Sequence, residues 1–189
     1  MRKQNILSHI HGSREIKKFE IDYWCNYIIC NYHSLIRQNF FSIKLCISTL
    51  SNLGENPEEI NQLNIIYKKL NKCLENYIGK EEHILFTYIE DLDKQIKEGN
   101  YESLSDISLM DKPLQIIKTE QQKILSMIIQ IRKLTDNYNT EVNWSPSHKN
   151  CYRLFSKLDY DLKEYFFMEE TILVPRIKQM QKKILSFNN

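Results

Sequence analysis

Four stretches of this chain place an apolar residue at every third or fourth position, and that period confines it to packed helices. In the first stretch the stripe is Ile29, His33, Ile36, Phe40 and Ile43. In the second it is Ile66, Leu70, Leu74, Tyr77, Glu81 and Ile84, with Cys73 beside it. The third gives Ile117, Gln121, Ile124, Ile128 and Ile131, and the fourth Leu158, Leu162, Tyr165, Glu169 and Ile172. Only four Gly and four Pro occur in 189 residues, too few for the turns of a many-stranded fold. The period therefore predicts an all-α chain.

The breaks set the helix ends. The first helix is expected from about Phe19 to about Leu50, stopping at Asn52-Leu53-Gly54. Asn56-Pro57-Glu58-Glu59 then supplies an N-cap residue, a proline at the first helical position and acidic residues at the positive helix end. That second helix continues to about Lys97, before Gly99-Asn100, and the longest connection runs from Tyr101 to Lys112. A third helix opens at Asp111-Lys112-Pro113 and keeps its period to about Tyr138; Asn139 to Ser147 reads as a loop. The fourth runs from about His148 to at least Val174, Pro175 kinks it or starts a further turn, and Arg176 to Phe187 continues helically. Short connections make neighbouring helices antiparallel, which predicts an up-down-up-down antiparallel four-helix bundle. Residues 1–18, with His9 and His11, are expected to be a flexible lead-in, and residues 19–189 one domain.

Composition narrows the function classes. Hydrophobic residues make 42% and charged residues 26%, the mixture of a soluble globular protein. A net charge of +2 offers no basic field for nucleic acid. No apolar run approaches the roughly 20 residues of a membrane span, and no signal-peptide pattern opens the chain. The five cysteines, Cys25, Cys30, Cys46, Cys73 and Cys151, are odd in number and form no CxxC pair. They are expected to be buried, reduced thiols of a cytoplasmic protein.

The interruptions of the stripes carry the functional signal. Each of three pairs, His33 and Gln121, Tyr77 and Tyr165, Glu81 and Glu169, is separated by 88 positions. The segment Tyr77 to Phe86 is echoed by Tyr165 to Val174 around them. The first two helices thus form one half of an internal repeat and the last two the other. Two related hairpins would bring the six residues to one level around a pseudo-twofold axis. Tyr77 and Glu81 share one helix face, as do Tyr165 and Glu169. Bundles assemble buried metal sites from carboxylates on facing helices in this way. Other polar residues weigh less: His83 is placed opposite the seam, Glu120 beside the site or on the surface, Cys73 one turn from Tyr77, and Lys178 to Lys183 on a solvated face.

One residue from the first or third helix, followed by an aromatic-xxx-Glu motif on the second or fourth, resembles the hemerythrin-like family. The chain is most similar to its di-iron members that repair iron–sulfur centres. The matching pieces are Tyr32-His33-Ser34-Leu35-Ile36-Arg37, Lys80-Glu81-Glu82-His83-Ile84-Leu85-Phe86, Ile131 to Tyr138, and Glu169 to Arg176. The resemblance implies a hemerythrin-like bundle, a role in nitric oxide or oxidant stress, and metal ligation at these positions. The family set is four His and two bridging Glu. Here His33, Glu81 and Glu169 retain it, while Tyr77, Gln121 and Tyr165 replace imidazoles.

Two readings follow. In one, the six residues are a metal-free hydrogen-bonded core, no cofactor is held, and the role is structural, regulatory or interaction, with a protein partner or a homodimer. In the other, His33, both Glu and the Tyr phenolates hold mononuclear or dinuclear iron, or manganese, for iron handling or redox chemistry. Catalysis is undecided between them.

Overall fold

The computed structural model describes residues 20–99 and 111–187. The expected lead-in and nearly all of the connection from Tyr101 to Lys112 lie outside the described residues. Four long helices account for almost everything described, and no strand occurs among the described residues. Helix α1 covers residues 21–53, α2 covers 57–98, α3 is Asp111–Leu134, and α4 covers 146–187. Helix α1 packs on α2 and α4, and α2 packs on α3. Their stripes meet in one apolar cluster that includes Ile36, Leu70, Ile128 and Leu162. No helix among the described residues is long and apolar enough to cross a membrane.

The ends follow ordinary backbone chemistry. Gly54 and Gly99 close α1 and α2 with φ of 67° and 70°, a region where a Cβ is disfavoured. Pro57 and Pro146 sit in the first turns of α2 and α4. Ser145 caps α4 by accepting from the His148 amide at 3.1 Å, so α4 begins ahead of the expected His148. Asn56 does not cap α2 through its side chain; its own φ is 38°, and its amide donates to Glu59 at 2.7 Å. Helix α3 stops at Leu134, short of the expected Tyr138, because Asp136, Asn137 and Tyr138 all take positive φ.

Three helices carry a wider, π-helical turn: Ile29–His33 in α1, Glu81–Leu85 in α2 and Glu169–Leu173 in α4. In each, an amide bonds five residues back: Ser34 to Ile29, Phe86 to Glu81 and Val174 to Glu169. The last two are equivalent in the repeat, whereas α3 stays α-helical through Gln121. The extra residue in α2 turns Ile84 outward, where it is 57% exposed, and brings Leu85 and Phe86 into the core. This corrects the expected stripe, which placed Ile84 inside. The widened turn also lets α4 run on through Pro175 to Phe187, since it loosens the turn that the ring would otherwise crowd. The five cysteines are free thiols, and Cys30 is exposed, contrary to the expected burial.

If the wide turn sets the register of α2, Ile84→Glu should change stability by less than about 0.5 kcal/mol. Leu85→Ala should cost about 3 kcal/mol. Urea unfolding of both variants checks this, and the reverse order would place the π turn elsewhere.

Candidate functional site

All six interrupting residues meet inside the fold, in two groups related by the repeat. Tyr77, Glu81, Tyr165, Glu169 and His33 are buried, and Gln121 is half-buried. In the first group the Tyr165 hydroxyl from α4 reaches Glu81 Oε2 of α2 and, at 2.8 Å, His33 Nε2 of α1. His33 Nε2 also lies 3.1 Å from Glu81 Oε2. In the second group the Tyr77 hydroxyl from α2 donates to Glu169 of α4 at 2.8 and 3.0 Å. Gln121 Nε2 of α3 donates to the same hydroxyl at 2.9 Å and to Glu169 Oε2 at 2.6 Å. Each tyrosine therefore serves the glutamate of the other hairpin, and His33 and Gln121 each lie against the hydroxyl and the carboxyl of their own group. The Tyr77 and Tyr165 rings meet edge to face at 6.1 Å between the groups.

Electrostatics differ from those of a solvated cluster. Burial, the charge of Glu169 and a hydrogen bond with it raise the Glu81 carboxyl well above the usual range. Burial also raises Glu169, although hydrogen bonds from Glu81, Tyr77 and Gln121 work against it. Glu81 Oε1 is buried and has no hydrogen-bond partner among the described residues. We assign the His33 proton to Nδ1, which donates to Glu82 Oε1 at 2.8 Å and leaves Nε2 as an acceptor. Burial lowers the imidazole from 6.5 to about 4, so it is neutral near pH 7.

Glu82 and Arg37 were not singled out as site residues by sequence. Arg37, one turn beyond His33, donates to Glu82 at 3.0 and 3.3 Å. Against burial, which raises it, the hydrogen bonds from Arg37 and His33 hold the Glu82 carboxyl below its usual range. The available signal was an arginine four residues after the core histidine and an acid beside the core glutamate. The weaker candidates fall elsewhere. His83 is exposed, Cys73 is a half-buried free thiol, and Glu120 pairs with Lys80 outside the cluster. His9 and His11 lie outside the described residues.

These residues do not fit the metal that the resemblance implies. Both His33 nitrogens face hydrogen-bond partners, and the hydroxyls and the Gln121 amide occupy carboxylate oxygens that would ligate. Tyr77 binds metal well only as phenolate, yet burial and the charges of Glu169 and Glu81 push its hydroxyl well above 10. Among the described residues, no three His, Cys, Asp or Glu side chains are grouped to hold an ion. What the arrangement does is keep two carboxyls buried, each met by a tyrosine hydroxyl of the other hairpin. Neither a family model nor a curated protein matches the chain.

The sign of the pH dependence follows. Neutral His33 contributes stability that is present above pH 6.5 and is lost as the pH falls toward about 4. In His33→Gln, which copies position 121, that acid limb disappears. Between pH 6.5 and 4, the wild type should lose ~2 kcal/mol more than the variant in urea titrations. Glu81 and Glu169 titrate in both proteins, so the difference reports His33 together with the Glu82 carboxyl it bonds; equal losses would mean that the imidazole is not held neutral.

Proposed function

We propose that the chain is a hemerythrin-like, up-down-up-down antiparallel bundle, similar to the di-iron repair proteins, whose centre is held by hydrogen bonds in place of iron. It acts in the cytoplasm as a structural, regulatory or interaction protein, through a protein partner or a second copy, in the setting of nitric oxide or oxidant stress. The observation that carries the metal-free part is the reciprocal donation of Tyr77 to Glu169 and of Tyr165 to Glu81. A bundle evolved around metal leaves carboxylates that need new donors once imidazoles are lost, and a phenol from the opposite hairpin supplies one to each Glu. The three π turns support the same origin, since such turns are frequent where a helix once aimed, or still aims, functional side chains. The resemblance in the four motifs supplies the family and the stress setting.

Anaerobic loading with ferrous iron, or with manganese, followed by gel filtration and elemental analysis, tests the reading. Substoichiometric metal, no phenolate-to-iron colour and an unchanged Tm are expected. Glu81→Gln should be neutral or stabilising by about 1 kcal/mol, because it removes a buried carboxyl and keeps the shape. Stoichiometric metal that is lost in Glu81→Ala would overturn the reading in favour of a site of His33, Glu81, Glu169 and the tyrosines.

A further inference from the structure

The two halves of the repeat are not equally closed. On the His33 side, Arg37 and Glu82 form a bidentate ion pair over the imidazole, and the Phe86 ring lies parallel to it with centroids 5.9 Å apart. The equivalent positions on the Gln121 side hold Leu125, Glu170 and Val174. Glu170 is exposed and makes no pair with Leu125, and Val174 lacks the bulk of a phenyl ring. Where the first half is plugged, the second has a half-open cavity of about 700 Å³ that leads inward between α3 and the end of α4.

The lining of that cavity is sorted by depth. Glu81, Glu169 and Gln121 form its buried or half-buried polar part, and Leu114, Ile117, Leu125 and Leu173 are among its apolar walls. The donors near the carboxyls, Tyr77, Tyr165 and Gln121, are already engaged with them. Glu81 Oε1 stays without a donor side chain. What the cavity lacks is therefore an N–H donor of positive charge, presented on an apolar body that fits the leucine and isoleucine walls. Lys118 and Lys178 also border the cavity, but both are exposed and screened by solvent, whereas the carboxyls are not.

We propose that this cavity is a binding site for a small amphipathic amine, whose ammonium group meets Glu81 and Glu169 while its hydrocarbon part lies against Leu114, Ile117 and Leu125. The site is one-sided because the repeat diverged: the first half acquired the Arg37–Glu82 plug, and the second did not. The inference rests on the metal-free reading, since a metal between the carboxyls would occupy the same oxygens. It gives the regulatory role a chemical signal.

Benzylamine, benzyl alcohol and benzoate are suitable probes, titrated calorimetrically into the full chain after its metal content has been measured. Benzylamine should bind at least about tenfold more tightly than the isosteric alcohol, and benzoate should not bind, because only the cation gains charge-assisted hydrogen bonds. Glu81→Gln should weaken benzylamine about tenfold or more and leave the alcohol unchanged. Val174→Phe, which installs the residue of the plugged half, should abolish binding of both while circular dichroism and Tm show a folded protein. Equal affinity for amine and alcohol, indifference to Glu81→Gln, or no benzylamine binding at millimolar concentration by metal-free protein would overturn the proposal. Stoichiometric metal in the starting protein would instead remove the reading on which it rests.

Discussion

Two buried carboxyl groups are the constraint around which the rest of this structure is arranged. Glu81 and Glu169 are fully or almost fully buried, and an isolated buried carboxylate would be worth several kcal/mol against folding. The fold answers with phenol, amide and imidazole partners, and burial raises both carboxyls toward their neutral forms. Because each tyrosine serves the other hairpin, the polar centre binds α2 to α4 as well as satisfying its own atoms. Neither hairpin could bury its glutamate alone.

That arrangement depends on the wide turns. A regular helix moves side chains by a fixed angle per residue, so a carboxyl, its tyrosine one turn earlier and the following apolar pair cannot all face inward over a long stretch. The π turns at Glu81–Leu85 and Glu169–Leu173 insert one residue and reset the face. In α1 the turn Ile29–His33 does the same for the imidazole, and the Ser34 hydroxyl bonds the Ile29 carbonyl at 3.1 Å, which supports the widened turn. The amide of Gln121 is longer and more flexible than imidazole, and it reaches Glu169 from a regular helix.

Polar interior contacts away from the centre hold the helix ends. His148 lies between Glu55 at 3.4 Å and Glu59 at 3.6 Å, under the Trp144 ring at 4.1 Å. Ser145 donates to Glu55 at 2.7 Å while capping α4, so the starts of α2 and α4 are locked together. Asp159 similarly accepts from Arg132 and from Tyr138 at 3.0 Å, which anchors the left-handed turn after α3. Arg37–Glu82, by contrast, is a partly exposed pair in the middle of α1 and α2, beside the central site.

The sequence by itself determined the helical class, the four stripes and the six residues that interrupt them, because apolar spacing reports directly which face of a helix is buried. The 88-residue separation related the six as equivalent positions of two halves, without saying which of them touch. It did not determine that Ile84 faces out and Leu85 in, since a π turn changes the angle per residue without leaving a break in composition. Nor could it show that Tyr77 bonds Glu169 and not Glu81, its neighbour on the same helix face. Partner choice between residues 92 positions apart is set by how the helices pack, and so is the contrast between a plugged and an open half. Periodicity describes one helix at a time; hydrogen bonds and cavities are made between helices, and only the tertiary structure decides them.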